Sequence, residues 1–195
     1  MKILCFATAS ACLVLAGCSS NGPAPAQRTA ADDPTVACLS ALDGNASVAV
    51  LKPRVGSIAQ AEAAPQALRS STELPTADEK KAIQSWVGLR KECVNAGAEF
   101  RLANAPPAYA DIVEEENSRF TVLLSRLYAG QTGYGEFLNE RIALDTEMKS
   151  RRNNAREQHQ RANAPIREEE AARRRSELSN ALAVLQLAPA PPGKN

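Results

Sequence analysis

Apolar side chains recur every three or four residues through most of residues 76–148, and this spacing restricts the chain to helices that share a buried side. The first such stretch is residues 76–97. Thr76 and Glu79 form a T-x-x-E capping box at its start, and Asp78 adds a negative charge that suits a helix N-terminus. One stripe along this helix carries Ile83, Trp86, Val87, Cys93, Val94 and Gly97.

Two more helices are predicted after the first. Pro106 and Pro107 suit a helix start, and apolar residues repeat at three and four positions until Gly130 ends the run. After the turn GQTGYG, the third helix is marked by Phe137, Leu138, Leu144 and Met148. Because the turn is short, the second and third helices should run antiparallel. The sequence therefore predicts an all-α fold, a small antiparallel helical bundle with a long polar C-terminal helix.

Residues 35–75 have a less regular pattern. The spacing of Val36, Leu39 and Leu42 predicts a short helix that carries Cys38. Residues 48–51 fit either a short strand or a helical turn, and the prolines and glycines around them prevent any long element. We interpret this region as short helices, and the folded domain as residues 35–148.

Residues 149–188 form a charged helical extension in which the apolar stripe fades. Pro165 is expected to kink or restart this helix. The basic residues of the extension could contact anionic lipid headgroups, a polyanion or an acidic partner; they are Arg151, Arg152, Arg156 and Arg161. The alternative, which we prefer, is an exposed helix that neutralises its own charge, since Glu169 and Glu170 each precede an arginine by four residues. Residues 189–195 are expected to be disordered.

Residues 1–17 have the pattern of a secretory signal, with Lys2 followed by an apolar run and small residues before a cleavage point. The run spans only about 20 Å as a helix, too short for a transmembrane segment. Leu15-Ala16-Gly17-Cys18 resembles the lipobox of bacterial lipoproteins, which implies cleavage before Cys18 and lipidation of its thiol. The alternatives are an ordinary signal peptide cut near Gly17 and an incidental thiol.

The lipoprotein resemblance also implies a location in the cell envelope. Ser19 stands where retention in the inner membrane typically uses Asp, so the outer membrane is expected, with the domain facing the periplasm. Residues 18–34 would be a lipidated flexible tether, because they contain Pro, Ala, Gly and polar residues without periodicity. Such a tether spans a distance on the order of 20 Å.

The five cysteines have different predicted fates. Cys5 and Cys12 leave with the signal, and Cys18 carries the lipid, so Cys38 and Cys93 remain. Two thiols in an oxidising compartment most simply form one disulfide, which completes the predicted fold class. Two buried free thiols are the alternative.

Composition and motifs favour a protein without catalytic chemistry. The chain without residues 1–17 has 22 basic and 22 acidic side chains, which argues against nucleic-acid binding. His159 is the only histidine and lies in a polar stretch, so we interpret it as a surface residue. Asp111, Glu114 and Glu115 share one helical face, which is more typical of a solvated surface than of an acid/base site. No metal-ligand cluster, phosphate loop or cofactor motif is present, so neither a metal nor a cofactor is expected.

The turn between the second and third helices, GQTGYGE at residues 130–136, resembles a Gly-x-x-x-[YW]-Gly-[ED] turn in uncharacterised helical proteins of the bacterial envelope. That resemblance implies a helical fold and no particular activity. The sequence thus favours a non-enzymatic envelope lipoprotein, anchored to the membrane by its N-terminal lipid, that acts as a scaffold or adaptor for an envelope protein. The alternative is a helical binding module for a lipid, a peptide or a cell-wall fragment.

Overall fold

The computed structural model of the chain describes residues 32–186, which are helical and contain no strand. The predicted lipid site Cys18 and the predicted disordered tail lie outside this range. Short 3-10 turns occur at Leu42–Gly44, Ala49–Leu51 and Ala61–Ala63. The α-helices are α1 (Pro34–Ala41), α2 (Lys52–Val55), α3 (Gln66–Arg69), α4 (Ala77–Ala96), α5 (Ala98–Asn104), α6 (Pro107–Ala129) and α7 (Tyr134–Gln186).

Helices α4, α6 and α7 form the antiparallel bundle that the sequence predicts. The capping box at the start of α4 is present, with the Thr76 side chain accepting from the Glu79 N–H and the Glu79 carboxylate accepting from the Thr76 N–H. Gly130 ends α6 in the left-handed conformation, with φ at 71°, where a residue without a Cβ is favoured. Only residues 130–133 separate α6 from α7, so the two helices return side by side.

The centre of the core is an aromatic cluster to which each of the three long helices contributes one ring. Trp86 of α4 lies 5.2 Å from Phe120 of α6 and 6.0 Å from Phe137 of α7, measured between ring centroids, in edge-to-face contacts. Phe120 and Phe137 are 6.3 Å apart. All three rings are almost completely buried, and they hold the bundle together.

Residues 42–69 cover one side of this core with short turns. Val48, Leu51, Val55 and Ile58 are at most 2% exposed. Residues 48–51 form a helical turn rather than a strand, which confirms the preferred interpretation. Pro53 lacks an N–H and lies in the first turn of α2, where that donor has no helical partner in any case.

The segment 71–76 is an extended strap that crosses the start of α7. The Gly135 N–H donates to the Ser71 carbonyl at 2.9 Å, and the Tyr134 N–H donates to the Glu73 carbonyl at 3.0 Å. These bonds satisfy N–H groups at the helix start that have no intrahelical partner. Gly135 is required for this approach, because a Cβ there would lie 2.6 Å from the Ser71 carbonyl oxygen.

A disulfide joins α1 to α4, as the cysteine count predicts. Cys38 and Cys93 are bonded, with their Cα atoms 5.3 Å apart. Cys93 is 1% exposed. Near this bond, the buried Arg101 of α5 donates to the Thr35 hydroxyl at 2.6 Å and to the Val94 carbonyl at 2.7 Å. The first residues of the described chain are therefore fixed to the C-terminal ends of α4 and α5.

Helix α7 is 53 residues long and continues through Pro165. No second helix starts at that proline, so the expected restart is wrong. A proline inside a helix removes one hydrogen bond, and here the surrounding turns remain helical. Residues 165–184 are all exposed. This part of α7, residues 165–186, is called the projecting segment below; it is about 33 Å long.

Candidate functional site

The projecting segment is held in its direction by a row of ion pairs between α6 and α7. Arg151 donates both Nη groups to the Glu115 carboxylate, at 2.6 and 2.7 Å, and Arg119 does the same to Glu147, at 2.8 Å for each bond. Hydrogen bonding to Arg151 lowers the pKa of Glu115. Paired hydrogen bonds of this kind fix the geometry of both side chains, so they set the register of α7 on α6.

The predicted basic stretch is therefore largely engaged inside the protein. Arg151 pairs with Glu115, and Arg152 pairs with the half-buried Glu116. Arg156 donates to the Tyr109 hydroxyl at 2.7 Å, with its guanidinium 4.5 Å from the centre of that ring. Contact of these arginines with an anionic surface stays a prediction, and it would compete with the partners they already have.

Arg161 differs from the other three arginines, because its side chain is 79% exposed and its ion pair is with Glu157, on its own helix. His159 is exposed as predicted and contacts Asn163 at 2.9 Å. Of the acidic face predicted on α6, Glu115 belongs to the row of ion pairs, Glu114 lies 3.8 Å from Arg101, and Asp111 is exposed. The structure therefore does not bring these three carboxylates together at one point.

A buried cationic cluster, which the sequence analysis did not identify, lies behind this row. Arg141 is 1% exposed, and its guanidinium lies 5.0 Å from the Trp86 ring centre and 5.4 Å from that of Phe120. Arg90 lies 4.2 Å from the centre of the Phe120 ring and donates to Glu116 at 3.0 Å. The cluster thus places two guanidinium groups against the aromatic core.

Burial dominates the electrostatics of this cluster. It lowers the pKa of Arg141 to about 10, and it raises the pKa of Asp145, whose carboxylate lies 3.8 Å from Arg141. Arg141 also donates to the carbonyls of Ser57 and Ile58, at 3.1 and 2.8 Å. These bonds fasten the 42–69 segment to α7, which is a structural role. One indication in the sequence is that Arg141 lies three residues from both Leu138 and Leu144, inside an apolar stripe.

A cleft of about 520 Å³ opens between the strap and the α6–α7 turn. Most of the residues that line it are polar, and several of these side chains are already paired. Arg69 donates to the Asn139 side chain at 3.2 Å, and Asn139 donates back to the Arg69 carbonyl at 3.1 Å. Glu140 pairs with Arg126 at 2.8 Å. The cleft could hold a small polar molecule, but it contains no nucleophile–base pair.

The projecting segment exposes several large apolar side chains that have no buried contact in its own domain. Its large exposed apolar residues are Ile166 (56%), Leu178 (65%), Leu182 (59%) and Val184 (69%). The hydrogen bonds and ion pairs found in residues 165–184 stay within α7. Single helices of this length are marginally stable in water, and apolar residues on them are typical of a contact surface.

The chain enters the bundle at the same end from which the projecting segment leaves it. Arg101 connects Thr35 to Val94. Val94 packs with Tyr109 at the start of α6, and Arg156 of α7 sits on that same tyrosine ring. The described chain therefore begins at the Tyr109 end, and the projecting segment leaves from the same end.

No family model, curated protein or solved structure matches this chain. Within residues 32–186, no group of three or more His, Cys, Asp or Glu side chains is arranged to hold a metal ion. No single helix among the described residues is long and apolar enough to cross a membrane. Pro34–Gly44 and Ala49–Val55 meet the length and composition limits only as a pair bent by 73°.

Proposed function

We propose that this protein is a lipid-anchored lipoprotein of the bacterial envelope that acts as a non-enzymatic scaffold or adaptor, with its domain in the periplasm. The observation that carries the proposal is the projecting segment. Its residues 165–184 are all exposed, and Ile166 and Val184 are exposed by more than half of their surface. A second envelope protein that packs along it would cover these side chains.

The anchor supports the same function. Lipidation of Cys18 would attach the chain through the predicted flexible tether, with a span on the order of 20 Å. The tether would end before α1, which begins at Pro34 with Asp33 as its N-cap. Acyl chains contribute roughly 0.8 kcal/mol for each buried methylene, so several chains on one cysteine hold a protein stably at a membrane. Because the described chain begins at the same end of the bundle from which the projecting segment leaves, a partner on that segment would be kept near the membrane.

The anchor is tested by Cys18→Ala in the full chain, followed by separation of membrane and soluble fractions. We expect the parent protein in the membrane fraction, mainly that of the outer membrane, and the variant in the soluble fraction or unprocessed. If the variant is processed and still fractionates with the membrane, the lipid anchor is refuted.

The adaptor role is tested by placing a photo-crosslinking amino acid at Ile166 or Val184 in intact cells. The matched control is Val122 on α6, which is 58% exposed, nearly the same as Ile166 at 56%. We expect a discrete crosslinked protein from the two positions on α7 and none from Val122. Equal labelling at all three positions would mean random collision and would remove the case for an adaptor.

A second candidate function, a binding module for a lipid, a peptide or a cell-wall fragment, is favoured by the 520 Å³ cleft beside the α6–α7 turn. Mass spectrometry of the purified protein distinguishes the two functions. A copurifying lipid or glycan that is lost when Asn139→Leu removes a polar side chain from the cleft wall would favour the binding module. Crosslinking to a protein without any copurifying small molecule would favour the adaptor.

A further inference from the structure

The projecting segment contains three consecutive glutamates, Glu168 to Glu170, and three consecutive arginines, Arg173 to Arg175, placed symmetrically about Ala171 and Ala172. We propose that it pairs side by side and antiparallel with the same segment of a second copy of this chain, centred between Ala171 and Ala172. The proposal does not depend on lipidation or on the identity of an envelope partner.

The seam of this pair would be a narrow stripe of small and apolar residues. Ala164, Ala171 and Leu178 are seven residues apart and therefore lie almost in line on an α-helix, and Leu182 continues the line one turn later. In an antiparallel pair with this centre, Ala164 of one copy lies opposite Leu178 of the other. The alanines allow the helices to approach closely, and the leucines cover them.

Charged residues flank the seam on both sides, in an order that is complementary to itself. On one flank, Glu168 lies opposite Arg175 of the second copy. On the other flank, Glu170 lies opposite Arg174, within about one residue of exact alignment. Twofold symmetry repeats each pairing. Charges at such flanking positions set the orientation and choice of partner in paired helices.

One of the two charge pairs across this interface, Glu168 with Arg175, is unused within one chain. Among residues 32–186, the ion pairs include none to Glu168 or Arg175. Glu170 and Arg174 are 4.0 Å apart on their own helix, at the limit of an ion pair, and both are exposed. Pairing with a second copy would therefore add contacts rather than replace strong ones.

The complementarity of Glu168 and Arg175 belongs to the antiparallel pair. In a parallel twofold pair the flank that carries Glu168 and Arg175 faces the opposite flank of the second copy, so Glu168 does not meet Arg175. The other exposed side of the segment, with Ile166 and Val184, stays open in the dimer, which leaves room for the envelope partner proposed above.

The test uses the purified full-length chain in detergent micelles at low salt, with cysteine introduced at Ala171 and a short bis-maleimide crosslinker. Ala171→Cys places the thiol near the twofold axis. Ser176→Cys is the matched control, because it is exposed on the same helix but points away from the seam. The parent chain reports any background from native cysteines, since Cys38 and Cys93 are already bonded.

Charge exchange then tests the orientation. In the Ala171→Cys background, Glu168→Arg turns two attractive contacts into two repulsive ones and should lower the association constant about tenfold. Combining Glu168→Arg with Arg175→Glu restores opposite charges across the interface and should restore crosslinking. Circular dichroism checks that every variant keeps its helix.

The proposal is overturned if Ser176→Cys crosslinks as well as Ala171→Cys, or if the double charge exchange fails to recover what Glu168→Arg loses. An unchanged yield with Glu168→Arg alone would show that this flank does not face a second copy. A failure of any of these tests would leave the crosslinks expected from Ile166 and Val184 unaffected, so it is distinguishable from a failure of the adaptor role.

Discussion

Replacing Arg141 with methionine should lower the free energy of unfolding by about 3–5 kcal/mol, the range for breaking a buried ion pair. The magnitude follows from the contacts that the guanidinium makes. It donates to the carbonyls of Ser57 and Ile58, and each buried acceptor left unpaired costs about 1–3 kcal/mol. Methionine recovers part of this loss, since it fills the space beside the Trp86 ring without the desolvation cost of a charge.

The measurement is urea unfolding at neutral pH, followed by the fluorescence of Trp86, the only tryptophan in the chain. The matched control is Arg119→Met, which removes a paired ion contact to Glu147 from the surface of the same bundle. Its side chain is 43% exposed, so its loss should cost under about 1 kcal/mol.

A second variant isolates the ionic part of the effect. Asp145 lies 3.8 Å from Arg141, so adding Asp145→Asn to Arg141→Met should cost less than the sum of the two single changes, with a coupling of about 1 kcal/mol or more. If Arg141→Met costs no more than Arg119→Met, the guanidinium does not fasten the 42–69 segment to α7, and the argument from buried contacts is wrong.

Three further outcomes are expected. Gly135→Ala should lower the free energy of unfolding by about 1–3 kcal/mol, because its Cβ would meet backbone atoms of Arg69 and Ser71 at 2.6–2.8 Å. Gly88→Ala, with open space around the new Cβ, should instead be neutral or raise the free energy of unfolding by about 0.5–1 kcal/mol. Chemical denaturation of both variants checks this. Burial of Glu79 raises its pKa, but hydrogen bonds from Arg54 and Thr76 outweigh that effect and leave the pKa lowered. The stabilisation by Glu79 is therefore present above its unfolded-state pKa and is lost as the pH falls through the folded-state value, so Glu79→Gln should be destabilising at pH 7 and nearly neutral near pH 3; an equal effect at both pH values would contradict this. Deleting residues 165–195 should change the free energy of unfolding by less than about 0.5 kcal/mol, since residues 165–184 are exposed; a large loss in thermal unfolding would mean that the segment packs on the bundle.

Local patterns made much of the fold predictable from the sequence. The capping box needs only Thr76 and Glu79 at the right spacing, and the end of α6 needs only a residue that adopts positive φ, which Gly130 supplies. The disulfide followed from the cysteine count together with a helical stripe that faces Cys93 inward. Each of these features depends on residues that are close in sequence or few in number.

The buried arginines could not be predicted in the same way. Residue type places arginine at a surface, and Arg141 is buried only because carbonyls more than 80 residues earlier accept its hydrogen bonds. The strap is a similar case. Its carbonyls cap the start of α7, and no local pattern shows which segment will supply an acceptor to Gly135.

The partners of the basic stretch also could not be predicted from its own sequence. In the sequence, Arg151, Arg152 and Arg156 are consecutive cations on a polar helix. In the structure, the first two meet carboxylates of α6 and the third meets the Tyr109 ring. The partners are on another helix about 36–47 residues earlier, so the sequence of the extension alone could not reveal them.

The most direct test of the account combines the anchor and the contact surface in one measurement: photo-crosslinking from Ile166 in intact cells, in the parent chain and in the Cys18→Ala variant. If the protein is a membrane-anchored adaptor, we expect a discrete crosslinked protein in the membrane fraction of the parent and much less of that product in the variant. We expect no product from the Val122 control in either chain. A product of equal yield with and without Cys18, or one that appears equally from Val122, would contradict the claim that this protein is a membrane-anchored adaptor that works through its projecting helix.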